Sequence, residues 1–170
     1  MEFHRASEED AQRIMEIIGQ AQGYLKAQGV NQWQNNYPNI STVMNDIDNQ
    51  DCYVLRDSGR VIATVTVVFG REKTYAAIYE GEWLSSNEYA TIHRLAVDAG
   101  YKGRGLASLI IGNIETMCRS GGISSIRVDT HRQNASMKRM LIKNGFTYCG
   151  VIYLSDNSER VAFEKLLPCI

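Results

Sequence analysis

Between Thr91 and Glu115 the sequence reads TIHRLAVDAGYKGRGLASLIIGNIE, and no other stretch limits the fold so tightly. Leu95, Ala96 and Val97 close a buried strand, and Asp98 to Gly103 turns the chain. From Gly105 onward Leu106, Leu109, Ile110, Ile114 and Met117 recur at helical spacing, and Gly121-Gly122 ends the helix. A strand that runs through a glycine-containing loop straight into a helix demands a layered arrangement, because each element must bury one face against a neighbour. Gly103 and Gly105 lack a Cβ, so the backbone can turn tightly and let a ligand come close. The first N–H groups of the helix have no intrahelical partner and lie at the positive end of its dipole. A phosphate or pyrophosphate fits that position, with Lys102 and Arg104 adding charge at the rim. The same loop also fits a plain strand–helix turn that needs glycine for geometry alone. It is not a P-loop, since no Gly-Lys-Ser/Thr ends it. It is not a dinucleotide fingerprint either, since Ser108 stands where the third glycine would be.

The remaining segments alternate in the same way. Glu2 to Arg5 predicts a short edge strand. Ser7 precedes Glu8, Glu9 and Asp10, acids that favour a helix start, and Ile14, Ile17, Ile18, Ala21 and Leu25 follow at helical spacing up to Gly29. Val30 to Ile40 is polar, aromatic and irregular, and predicts a loop. Ser41 then caps a shorter helix through about Asn49. Cys52 to Arg56 and Val61 to Phe69 predict a hairpin around Asp57-Ser58-Gly59-Arg60. Tyr75 to Glu80 predicts a further strand, and Gly81 to Glu88 a loop. Ser125 to Thr130 predicts a strand, Asn134 caps a helix that Gly145 stops, and Phe146 to Leu154 pairs with Glu159 to Leu166 as a closing hairpin.

The length of 170 residues suits one domain, 1–170. Eighteen basic and nineteen acidic side chains leave a net charge of -1, which draws the chain to neither nucleic acid nor anionic membranes. The start, MEFHRASEEDAQRIMEII, has no basic region followed by a long apolar run, and the longest apolar stretch, Val61 to Phe69, is broken by Thr64 and Thr66. A cytoplasmic location is the expectation. The four cysteines, Cys52, Cys118, Cys149 and Cys169, form no metal-ligand spacing with His4, His93 or His131. They predict reduced, mostly buried thiols and no metal site.

The loop Lys102-Gly103-Arg104-Gly105-Leu106-Ala107 resembles the acetyl-CoA-binding motif of the GNAT acetyltransferase superfamily, Gln/Arg-x-x-Gly-x-Gly/Ala after a strand, with Lys102 in place of the usual Gln or Arg. The stretch IRVDTHRQNASMKRMLIKNGFTYCGVIY is similar to a second block of that family, with Asn134, Gly145 and Phe146 at the matching positions. The resemblance covers essentially the whole chain and is strongest over residues 91 to 146. It implies an α+β fold, a three-layer α/β/α arrangement around a mixed, mostly antiparallel sheet that splays at the cofactor-binding strands. It implies acetyl-CoA as cosubstrate and transfer of its acetyl group to a primary amine of a small molecule or peptide by direct attack.

On this resemblance Leu95, Ala96 and Val97 offer strand backbone to the pantetheine arm, and the N–H near Leu95 polarises the thioester carbonyl. Lys102, Gly103, Arg104, Gly105, Leu106, Ala107 and Ser108 hold the pyrophosphate, and Asn134 and Met137 reach the CoA arm. Many members carry a Tyr four residues before the Gly of the Gly-Phe pair; here that position is Leu141. Tyr148, Tyr153 or water stands in as proton donor. His93, two residues before Leu95, shares its face by the strand period if no bulge intervenes, and is the candidate base. Glu80 and Glu82 are alternatives. The acceptor side of the family corresponds to about Gly29 to Ile40 and Phe146 to Ser158, with Trp33, Tyr37 and Trp83 as pocket walls and Glu80 as an amine-binding carboxylate. A homodimer extended through the closing strands is a further expectation. The loss of the tyrosine at Leu141 also keeps open a catalytically weak, CoA-binding regulatory domain of the same fold.

Overall fold

Ser7 and the acids behind it start the first helix, with one refinement. In the computed structural model, which describes residues 1–168, Glu8–Asp10 form a single 3-10 turn and helix α1 follows over Ala11–Ala27. The Asp10 carboxylate accepts the Ser7 N–H at 3.0 Å, so an otherwise unpaired backbone donor is satisfied. Ile14, Ile17 and Ile18 are fully buried, the face that the spacing predicts. Helix α2 spans Ile40–Asp48. Its cap is Asn39 rather than the predicted Ser41. Asn39 Oδ1 accepts the Thr42 N–H at 3.1 Å, and Thr42 Oγ1 accepts the Asn39 N–H at 3.3 Å. This reciprocal pair outweighs a serine that lies inside the first turn.

The strands are β1 (Glu2–Arg5), β2 (Cys52–Asp57), β3 (Arg60–Phe69), β4 (Tyr89–Val97), β5 (Ser125–Thr130), β6 (Thr147–Tyr153) and β7 (Glu159–Leu166), with α3 (Leu106–Ser120) and α4 (Ala135–Lys143) between them. They form a seven-stranded, mostly antiparallel sheet in the order β1-β2-β3-β4-β5-β7-β6. The parallel ladder of β4 with β5 holds three pairs, Tyr89↔Ser125, Ala90↔Ile126 and Thr91↔Arg127. Both strands continue past it, β4 to Val97 and β5 to Thr130.

The predicted strand at Tyr75 to Glu80 is not one. Lys73–Tyr75 make a 3-10 turn, and the segment touches β6 through one bridge, Tyr79↔Val151. Its apolar residues serve side-chain packing instead of a ladder: Tyr75 is buried with Tyr89, Ile152 and Ala162, and Ile78 packs against them. The approach is close. A Cβ at Gly81 would meet the Cys149 carbonyl oxygen at 2.0 Å, and one at Gly150 the Tyr79 oxygen at 2.5 Å. Tyr79 therefore occupies the backbone edge of β6 at Val151. A homodimer that extends the sheet through β6 finds that position already paired.

The chain divides into two compact units. One takes Met1–Val67 and His93–Ile110; the other takes Val68–Ile92 and the described chain from Ile111 onward. The core of the first joins Ile14, Ile17 and Ile18 of α1 to Val43 and Ile47 of α2 and to Val54, Val61 and Ala96 of the strands. Each isoleucine or valine among them contributes about 1.5–3 kcal/mol when fully buried. Cys52, Cys118 and Cys149 are buried and free, and burial pushes each thiol up to about 11. Cys169 lies outside the described residues.

Candidate functional site

The loop after β4 is tied down at its start and open at its end. The Asp98 N–H donates to the Ile62 carbonyl at 2.9 Å. Asp98 Oδ1 accepts the Gly100 N–H at 2.8 Å, while Oδ2 takes Arg13 Nη2 and, at 3.4 Å, Gln20 Nε2. Gln20 Oε1 in turn accepts the Ala99 N–H at 2.7 Å. Two side chains of α1 thus strap the base of the loop. Burial alone would raise the Asp98 pKa, but the Gly100 amide, Arg13 and Gln20 outweigh it and hold the carboxyl below the usual carboxylate range. A depressed folded pKa adds stability above the unfolded value, about 3.9, and that stability is lost as pH falls through the folded value. Asp98→Asn is therefore expected to lower the urea midpoint at pH 7. The gap to the unsubstituted chain should close below about pH 4; a gap independent of pH would show that the charge contributes nothing.

Beyond the strap the backbone swings out. Gly103 has φ 77° and Gly105 φ 75°, both left-handed, and neither would meet an atom within 4 Å if it carried a Cβ. The space in front of the loop is open. The helical ladder of α3 begins with Leu109 N–H to the Gly105 carbonyl at 3.1 Å, which leaves the N–H groups of Leu106, Ala107 and Ser108 ahead of it. Two cations flank these donors. Lys102 Nζ lies 4.2 Å from the centroid of the Tyr24 ring, and the Arg104 guanidinium 4.9 Å from that of Tyr101. Aromatic faces hold both by their quadrupoles without neutralising them. Among the described residues neither has a carboxylate partner. Open backbone donors, a helix N-terminus and two uncompensated cations make an anion site that fits a pyrophosphate.

The strand that feeds the loop departs from simple pleating. Ala96 is buried in the core, so it can offer a ligand only its backbone, while Leu95 and Val97 are half-buried. Arg94 has φ 50°, a left-handed residue inside a strand. The alternation that would set His93 and Leu95 on one face is broken there, so their two-residue spacing no longer places them together. Arg94 reaches α2: Nε and Nη2 donate to Asp46 Oδ2 and Oδ1 at 2.6 and 2.7 Å. Its Nη1 donates to the Tyr37 hydroxyl at 3.0 Å. Asp46 also accepts Thr66 Oγ1–H at 2.8 Å. Sequence reading missed this cluster. Its one local signal is a charged residue inside a mostly buried strand.

In the segment from Val30 to Asn39, Trp33 packs on the core of α1 and α2, so one face of the predicted pocket wall serves the fold. Tyr37 stays exposed at 45%. Gln22 fastens the segment to α1, donating to the Tyr37 and Pro38 carbonyls at 3.1 and 3.0 Å.

The other predicted residues lie in the second unit. Asn134 Oδ1 accepts the Met137 N–H at 3.1 Å and caps α4, with Met137 half-buried one turn on. Leu141 is completely buried, so the position where the family resemblance implies a tyrosine is a core position in this chain. Tyr148 is half-exposed and meets Phe163 edge-on. Glu80 is exposed, with φ 56°. Trp83 is engaged in packing: Nε1–H donates to the Tyr75 carbonyl at 3.0 Å, and one ring face lies 4.1 Å from the Arg127 guanidinium. His131 Nδ1 accepts the Gln133 N–H at 3.1 Å. Burial, then Arg160, push this imidazole below its ordinary range against the pull of Glu159.

Comparison with known proteins bears on this arrangement. A family model described as acetyltransferase (GNAT) family matches residues 13–146. The crystal structure of a GNAT-family acetyltransferase from Streptococcus agalactiae is 32% identical and superposes with a TM-score of 0.90, over 98% of this chain and 95% of that one. A GNAT-family acetyltransferase from Listeria monocytogenes superposes at 0.74 with 17% identity, over 98% and 94% of the two chains. A ribosomal-protein-alanine N-acetyltransferase from Brucella melitensis superposes at 0.68 with 13% identity, over 98% and 100%. The last two likenesses speak to the fold alone. No curated protein matches the sequence.

Proposed function

Because this chain belongs to the GNAT acetyltransferase family, we propose that it transfers the acetyl group of acetyl-CoA to a primary amine of a small molecule or peptide. The observation that carries the reading is the loop from Lys102 to Ser108, with its open left-handed glycines and its two uncompensated cations. Lys102, Gly103, Arg104, Gly105, Leu106, Ala107 and Ser108 hold the pyrophosphate. Leu95, Ala96 and Val97 pair their backbone with the pantetheine arm, and Asn134 and Met137 contact it from α4. A neutral amine attacks the thioester carbonyl, whose oxygen takes the Leu95 N–H as the negative charge develops. The tetrahedral species collapses with loss of the CoA thiolate, and the amine nitrogen gives up its proton. His93, which the strand period no longer sets on the face of Leu95, takes that proton through water, and Tyr148 protonates the thiolate. Trp33, Tyr37, Glu80 and Trp83 are the acceptor-side residues of this reading.

The test is release of free CoA thiol from acetyl-CoA by the purified protein across a panel of small amines and peptides. Turnover with any amine supports the reading. Tight acetyl-CoA binding with no turnover favours a regulatory CoA-binding domain, a second reading motivated by the buried leucine at position 141. Absence of CoA binding defeats both. For His93, the expected result of His93→Ala is a kcat lower by roughly 100-fold. An unchanged kcat would remove it from the mechanism.

A further inference from the structure

The left-handed turn at Arg94 needs a cause. A side chain with a Cβ is strained at φ 50°, and such a conformation persists only where the surroundings over-determine it. Here they do. Every nitrogen of the guanidinium is engaged, Nε and Nη2 on Asp46 and Nη1 on Tyr37. Asp46 is itself buried and held by Thr66. The fork therefore ties β4 to α2 through Asp46, to β3 through Thr66, and to the segment before α2 through Tyr37. A planar, bidentate arginine–carboxylate pair fixes direction as well as distance. The main chain that carries it cannot relax to the extended form without breaking the pair. The next residue is Leu95, whose N–H meets the thioester oxygen in the reading above.

We propose that Arg94 is a positioning residue: its pair with Asp46 holds the left-handed turn in β4 that aims the Leu95 amide at the thioester carbonyl. This rests on the acetyl-CoA-dependent reading. It separates the backbone role of Arg94 from its ion pair, because glycine adopts the same φ without strain. Arg94→Gly and Arg94→Ala lose the same guanidinium and leave the same Asp46 unpaired. They differ only in whether the turn is tolerated.

The experiment compares the two variants with the unsubstituted protein by kcat, by KM for acetyl-CoA and by the acceptor KM. Arg94→Ala is expected to lower kcat about 30-fold, a misdirected rather than a missing donor, while KM for acetyl-CoA moves less than about threefold. Arg94→Gly is expected to recover about tenfold of that loss. Equal kcat values for the two variants, or a loss confined to KM, would overturn the assignment. Should Arg94→Ala fail to fold, Asp46→Asn carries the same question. It keeps the shape and an acceptor oxygen but weakens the fork, so kcat should fall about tenfold at unchanged KM for acetyl-CoA; an unchanged kcat overturns the role. Absence of turnover in the unsubstituted protein with every amine overturns the transferase reading and this role with it.

Discussion

Gly105→Val is expected to raise the KM for acetyl-CoA at least about 30-fold, with a fall in melting temperature of roughly 2–8 °C from the backbone strain. Two effects add. At φ 75° a residue with a Cβ gives up about 1–2 kcal/mol, and a β-branched one more. The new side chain also enters the open space in front of the loop, where the anion must approach the N–H groups of Leu106, Ala107 and Ser108. About 2 kcal/mol corresponds to roughly 30-fold in affinity. The loss of stability stays limited to that strain, because the upstream strap of Asp98, Arg13 and Gln20 is not touched by the substitution. Gly105→Ala should show a smaller increase, since it has the strain without the second branch. Lys102→Ala should act mainly through ionic strength, with its effect fading at high salt. Initial-rate kinetics and a direct titration with CoA measure all three. A KM for Gly105→Val within threefold of the unsubstituted protein would mean that the pyrophosphate does not bind at this loop.

How far the sequence carries depends on how local each cause is. The helix after the loop is legible because the 3.6-residue spacing of Leu106, Ile110 and Ile114 and the Gly121-Gly122 stop are contained in the segment; it is observed over Leu106–Ser120. The ends of α1, α3 and α4 follow for the same reason. Each closes with a six-residue amide bond around a glycine, Val30 to Leu25, Ile123 to Cys118 and Phe146 to Leu141. The strand reading at Tyr75 to Glu80 failed because aromatic and apolar content signals burial before it signals pairing, and Tyr75 is buried as a ring rather than as a rung. The left-handed Arg94 was illegible for another reason. Its cause is Asp46, 48 positions upstream, and nothing in HRLAV announces that partner. The candidate cofactor loop is thus nearly all local pattern, whereas the geometry around Leu95 is set by side chains that meet only in the folded chain.

The largest expected loss of stability comes from a pair that the sequence hides equally well. Arg127 looks like one more alternating residue of β5, yet its side chain is 5% exposed and that of its partner Glu164 is wholly buried, at 3.1 Å. The guanidinium lies between two rings, 4.1 Å from the Trp83 centroid and 4.0 Å from that of Tyr89, and Nη2 donates to the Ser85 carbonyl at 2.6 Å. Glu164 accepts the Leu84 N–H and the hydroxyls of Ser85 and Ser125. Arg127→Ala removes the one cation that pairs with Glu164 among the described residues and leaves a buried carboxylate with neutral donors. The expected destabilisation is about 3–5 kcal/mol, a fall in Tm of roughly 6–20 °C for a chain of this size. Glu164→Gln should be milder. The amide keeps an acceptor oxygen for the Leu84 N–H, and Arg127 keeps its two aromatic faces and the Ser85 carbonyl. Arg127→Lys should sit near alanine rather than near arginine, because an ammonium cannot stack flat between Trp83 and Tyr89 while forking to Glu164. Thermal denaturation of the three variants gives the order. If Glu164→Gln proved as damaging as Arg127→Ala, the aromatic sandwich would contribute little. The arginine would then be held by its carboxylate alone.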